Sequence, residues 1–176
     1  MKKIIITLCI LFSLVGLTGC SSKEAVVQEA YQDEQGYTIH RRGETVQLGD
    51  FEVTYKSSGA SDKTKEPSVN ISLKIKNNGP ETKTFTEYND VDGTSVGAYV
   101  VDKNYMDVEG YQRAKILASD SDITDKDIES GKEIDGSLYF SSPEVTSKEF
   151  NEAGYYLLLI YGEEYVVFLI EEAKYE

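Results

Sequence analysis

The chain is poor in the residues from which compact reactive sites are built. It has two cysteines in 176 residues, Cys9 and Cys20, both within the first twenty positions. Beyond residue 20 there is therefore no thiol, no disulfide and no cysteine ligand for a metal. A domain made from that part must be held together by its hydrophobic core. His40 is the one histidine, which excludes zinc sites that need several imidazoles. Tryptophan is absent, although 13 Tyr and 6 Phe supply aromatic packing. Basic residues are also few. There are 18 Lys and Arg against 31 Asp and Glu, a net charge of −13. Such a chain is repelled by phosphate backbones and anionic headgroups, so nucleic acid is excluded as a partner. No apolar run reaches the ~20 residues that a membrane-spanning helix needs.

What is present begins with a patterned N-terminus. Residues 1 to 20 read MKKIIITLCILFSLVGLTGC: two lysines, an apolar run, then small residues. This is the layout of a secretory signal peptide. Because Cys20 directly follows Leu17-Thr18-Gly19, the segment resembles a bacterial lipoprotein signal with its lipobox. The resemblance implies a diacylglyceryl group on Cys20, cleavage before it, and a place on the extracytoplasmic face of the cell membrane. The 157 residues left after removal of 1–19 carry 16 basic and 31 acidic side chains, a net −15. Buried lipid methylenes contribute about 0.8 kcal/mol each, and one chain alone holds marginally. The two or three chains that the resemblance implies on Cys20 would hold stably. The discarded stretch Leu11 to Thr18 also resembles the short apolar signalling peptides that some Gram-positive bacteria cut from lipoprotein signals.

Residues 20–43 read as the lipidated cysteine and a flexible tether. As a coil, about 23 residues span roughly 25–30 Å, enough to lift a domain off the headgroups. The alternative is that Tyr37-Thr38-Ile39 adds an edge strand to the domain. Residues 44–176 form the domain. Val46 and Leu48, then Phe51, Val53 and Tyr55, alternate around a Gly49-Asp50 turn. Ser57 to Pro67 reads as a polar loop. Val69, Ile71, Leu73 and Ile75 alternate with Asn70, Ser72, Lys74 and Lys76, which predicts a strand with one wet face. Further strands are expected at 82–88, 96–101, once or twice within 104–118, and at 134–140. Residues 119–129 read as an acidic loop and 147–152 as a helical turn. Two apolar runs, 155–161 and 165–170, flank Gly162-Glu163-Glu164 and predict a β-hairpin. Being apolar on both faces, they should be central or covered strands. About eight or nine short strands with no long helix predict an all-β antiparallel sandwich.

Three segments narrow this. They are Leu48 to Thr54 (LGDFEVT), Val69 to Gly79 (VNISLKIKNNG) and Ile128 to Phe140 (IESGKEIDGSLYF). Their order resembles the immunoglobulin-like domain of unknown function found in many Gram-positive lipoproteins. The resemblance spans roughly residues 44 to 170 and departs in lacking a proline before Gly131. It implies an immunoglobulin-like β-sandwich behind a lipid anchor. It brings no activity and no catalytic residues.

Candidate chemistry is sparse. Gly93-Thr94-Ser95-Val96-Gly97 matches G-x-S-x-G, but a hydrolase elbow needs a strand-to-helix turn and a later histidine. Here a strand follows, and no histidine lies after Ser95. No S-x-x-K occurs either. Asp120, Asp122, Asp125, Asp127 and Glu129 crowd one loop, where hard oxygen ligands could take calcium. Their spacing is not that of an EF-hand, and Asn89 to Gly93 would supply further oxygens if close by. Tyr99, Tyr105 and Tyr111 are candidates for an aromatic binding surface. The expectation is a non-catalytic, lipid-anchored module that binds an envelope or extracellular protein. A calcium-binding lipoprotein is the alternative, and a source of a signalling peptide a lesser one.

Overall fold

A computed structural model describes residues 30–61, 68–90, 92–102, 112–113, 121–141 and 154–170. In chain order the strands are β1 (Tyr31–Gln32), β2 (Thr38–His40), β3 (Thr45–Leu48), β4 (Phe51–Ser61), β5 (Ser68–Asn77) and β6 (Lys83–Thr84). They continue as β7 (Gly97–Val101), β8 (Gln112–Arg113), β9 (Asp127–Ile128), β10 (Glu133–Ser141), β11 (Tyr156–Tyr161) and β12 (Glu164–Leu169). No helix occurs among the described residues, and so none long and apolar enough to cross a membrane.

The strands build two five-stranded sheets, ordered β3-β4-β5-β10-β8 and β1-β2-β12-β11-β7, with β6 and β9 as a small third ladder. Every pairing is antiparallel except that of β12 with β2. β4-β5-β10-β8 and β7-β11-β12 reproduce the ABED and CFG orders of the immunoglobulin sandwich. The chain is an all-β sandwich, as its alternation implies. The clean alternation of β5 is realised at the sheet's centre: Val69, Ile71, Leu73 and Ile75 are buried, while Asn70 is exposed. Phe51 meets Phe85 edge-on at 5.1 Å and Tyr161 at 5.8 Å, and Tyr55 meets Phe168 at 5.6 Å. These rings join the inner faces of the two sheets into one core.

Four expectations are refined. β1 and β2 lie within the expected tether, and β2 overlaps the alternative strand at 37–39 but sits between β1 and β12 instead of at the sheet edge. Ile39 is fully buried and pairs in parallel with Val167. Burying that side chain contributes about 2 kcal/mol, which a solvated coil would forgo. β4 runs to Ser61, well into the expected loop. A register break between Tyr55 and Ser57 absorbs Lys56, and the Tyr55 hydroxyl donates to Ser58 Oγ at 2.8 Å. The strand expected over 82–88 shrinks to β6, after which Phe85 turns into the core and Thr86 bridges Thr124. The acidic loop contains β9. Of the strands expected within 104–118, β8 is described; the remainder, and the turn at 147–152, lie outside the described residues.

The C-terminal hairpin forms as expected. Tyr161 pairs with Glu164 across a two-residue turn in which Gly162 takes φ 61°. Both strands are internal, β11 between β12 and β7, and β12 between β11 and β2. That placement accounts for their apolar character.

Candidate functional site

The two outer faces of the sandwich differ in chemistry. On the β4-β5-β10 side the outward residues are mostly charged, hydroxylic or amide side chains. Lys56 pairs with Asp135 and Lys74 with Glu133, each at 2.8 Å, and Ser72 bonds Ser137 at 2.9 Å. The hydrogen bond from Lys74 to Glu133 holds the ammonium pKa above its ordinary value. This face is self-satisfied and solvated.

The β7-β11-β12 side is apolar. Ala98, Val100, Leu157, Leu159, Val166 and Phe168 point into the core, so their neighbours point out. Pairing aligns the outward residues in rows: Val101, Tyr156 and Leu169; Tyr99, Leu158, Val167 and Ile39; Gly97, Ile160 and Tyr165. Val101, Val167 and Ile39 are buried. Toward the β11–β12 turn the cover ends: Ile160 is 37 % exposed, Tyr99 41 % and Tyr165 51 %. Ile160 and Tyr165 share one row and Tyr99 stands in the next; such a cluster in the open is the unusual observation here, since single exposed side chains are ordinary.

Local packing holds these rings. The Tyr99 ring lies over Gly97, where an added Cβ would stand 2.9 Å from its Cε2. Gly97 thus leaves room for the ring to lie flat beside Ile160. Tyr165 meets Tyr37 edge-on, with centroids 5.5 Å apart. Two depressions share Ile160 as their dividing ridge. One, of about 460 Å³, is lined by Tyr88, Gly97, Tyr99 and Ile160 with Glu87 and Asp90. The other, of about 260 Å³, is lined by Tyr37, Leu158, Ile160 and Tyr165 with Glu163 and Glu164. Lys83, beyond the turn, is committed to Asp50 and to the Tyr161 hydroxyl.

The rim is therefore acidic. Asp90 Oδ2 accepts from Ser95 N at 2.9 Å and from Ser95 Oγ at 2.8 Å, and its Oδ1 accepts from Thr94 N. The Ser95 amide, then the Ser95 hydroxyl, hold the Asp90 carboxyl below its ordinary 3.8. A carboxylate with a lowered folded-state pKa stabilises above its unfolded value, and that contribution disappears as pH falls through the folded one. Thermal melts are expected to weaken below about pH 4, with Asp90→Asn removing part of that dependence. Tyr156 is displaced oppositely. Burial, then a hydrogen bond with Tyr31, pushes its hydroxyl up from 10.0 to about 12. Its contribution is complete below pH 10 and is lost between 10 and about 12. Tyr156→Phe should flatten the alkaline limb of the melting profile over that interval.

The candidate sites foreseen in the sequence fall in different places. Ser95 is 5 % exposed; its hydroxyl donates to Asp90 and accepts from Glu87 N at 3.1 Å. These bonds use it to close the 90–95 turn. Of the five acidic candidates, Asp122 accepts from Thr124 N at 2.9 Å, Asp125 from Tyr88 N at 2.9 Å, and Asp127 from the Thr84 hydroxyl at 2.7 Å. Glu129 contributes its backbone carbonyl to Lys132 N. The carboxylates of Asp122, Asp125 and Asp127 thus take separate protein donors. No group of three or more His, Cys, Asp or Glu placed to hold a metal occurs among the described residues. Asp120, Tyr105, Tyr111, Cys20 and the 11–18 stretch lie outside the described residues. Tyr99 does join an exposed aromatic face. Ile160 and Tyr165 were missed because a run apolar at every position does not reveal which alternate residues remain open, and Tyr37 and Tyr88 because each is a lone tyrosine in a polar stretch.

No family model matches the chain, and no curated protein matches it. Among solved structures it is similar to an uncharacterized β-sandwich protein from Clostridium difficile 630. That likeness has a TM-score of 0.48 at 12 % identity, covering 81 % of this chain and 100 % of that one.

Proposed function

We propose that this chain is a non-catalytic binding module, held on the extracytoplasmic face of the cell membrane by lipid on Cys20. Its partner surface is the open end of the β7-β11-β12 face. The observation that carries the reading is the contrast between the two outer faces. One satisfies its charges internally; the other leaves Tyr99, Ile160 and Tyr165 in solvent beside two depressions. Exposed aromatic clusters with a polar surround are what protein-binding surfaces use. The anchor rests on the lipobox resemblance, and the acidic charge of the domain disfavours its adhesion to anionic lipid.

The test is cross-linking on intact cells followed by capture of the tagged protein. The wild type is expected to enrich a discrete envelope or extracellular protein and to incorporate radiolabelled palmitate. Cys20→Ala should lose both the label and membrane retention. An enrichment profile indistinguishable between Tyr165→Ala and wild type would refute the assigned surface. A catalytic turnover found in an unbiased substrate screen would refute the non-catalytic reading.

A further inference from the structure

We infer that the partner presents a cationic polypeptide segment: lysine or arginine flanking an aliphatic or aromatic side chain. This rests on the binding face proposed above and gives it a chemistry. Around Ile160 the rim carries Glu87 and Asp90 on one side and Glu163 and Glu164 on the other. No basic residue lines either depression. Asp90 is kept ionised by Ser95, and Glu164 accepts from Gly49 N at 2.9 Å. Glu87, Glu163 and Glu164 also line a further depression with Lys83, whose ammonium goes to Asp50 and the Tyr161 hydroxyl and not to these carboxylates. An apolar side chain seated on Ile160 between the Tyr99 and Tyr165 rings would place neighbouring cations toward both rims. There each would gain a carboxylate and an adjoining tyrosine face. A second copy of this chain is a poor occupant, because it would bring the same carboxylates against themselves at a net charge of −15 per chain without residues 1–19. Anionic lipid and nucleic acid are disfavoured for the same reason.

The experiment uses the mature lipidated protein, beginning at Cys20, in uncharged detergent micelles. Three fluorescein-labelled nonapeptides share the same leucine and tyrosine positions and carry Lys, Gln or Glu between them. Anisotropy at low salt is expected to show the Lys peptide binding roughly tenfold tighter than the Gln peptide. The Glu peptide should not bind, and 0.5 M salt should remove most of the Lys advantage. Glu87→Gln with Glu163→Gln should abolish the advantage. Glu133→Gln with Asp135→Asn, on the opposite face, alters net charge equally and should leave it intact. Equal binding of the Lys and Gln peptides, with Tyr165→Ala still weakening both, would overturn the cationic partner and keep the binding face. Affinities unmoved by Tyr165→Ala would overturn both. Equal losses from the two charge-removing pairs would show a bulk charge effect and overturn the rim assignment.

Discussion

Replacing Asn77 with alanine is expected to lower stability by about 3 kcal/mol. Asn77 is fully buried at the end of β5. Its Nδ2 donates to Glu81 O at 2.7 Å and to Ile128 O at 2.8 Å, and its Oδ1 accepts from Gly79 N at 2.9 Å. Its own backbone donates to Lys132 O and accepts from Gly131 N. One amide thus ties the turn after β5 to the turn before β10. Truncation strands the buried Ile128 carbonyl and Gly79 amide, and frees the more open Glu81 carbonyl; each buried group left unpaired costs on the order of 1 kcal/mol or more. In a domain of this size the melting midpoint should fall by roughly 6–12 °C. Asn77→Asp retains the acceptor and loses the donors, so it should fall no less. A midpoint within about 2 °C of wild type for Asn77→Ala would refute this account of the 77–81 and 128–132 junction.

The second large effect is expected at Gly49, in the β3–β4 turn. Gly49 sits at φ 56°, and an added Cβ would overlap the Tyr161 ring. That ring is packed edge-on against Phe51, and its hydroxyl lies 3.3 Å from Lys83 Nζ. It cannot swing away without opening the inter-sheet contact. Left-handed backbone and forced repacking together should cost roughly 2–4 kcal/mol for Gly49→Ala. The packing share is separable. In a Tyr161→Ala background the ring is gone, and Gly49→Ala should then cost about 1 kcal/mol, the backbone share alone. Strict additivity of the two substitutions in denaturant melts would place the strain elsewhere.

These two positions show how far the sequence could be read. The alternation of β5 placed a half-buried strand correctly, and the apolar 155–170 region gave a hairpin between neighbours on both sides. Two of the three segments behind the resemblance, one ending at Gly79 and one beginning at Ile128, prove to touch through Asn77. Distance along the chain hides that contact. β2 escaped a periodicity reading because three residues with one buried isoleucine are too short to show a period. The open face was hidden for another reason. On β11 and β12 the residues facing the core and those facing solvent are equally apolar, so Leu159 and Ile160 look alike until the pairing separates them. The acidic run at 120–129 looked like a ligand set because sequence shows charge density and not partners. In the fold the carboxylates of Asp122, Asp125 and Asp127 hold turns and join segments.

The contrast between the two outer faces makes the central claim directly measurable. A photoreactive benzoylphenylalanine is introduced singly at Tyr99 or Tyr165 on one face and at Thr54 or Lys74 on the other, and intact cells are irradiated. Adducts to a common partner are predicted from positions 99 and 165 and not from 54 and 74. The same adduct forming from 54 or 74, with none from 99 and 165, would contradict the assignment of the β7-β11-β12 face as the binding surface.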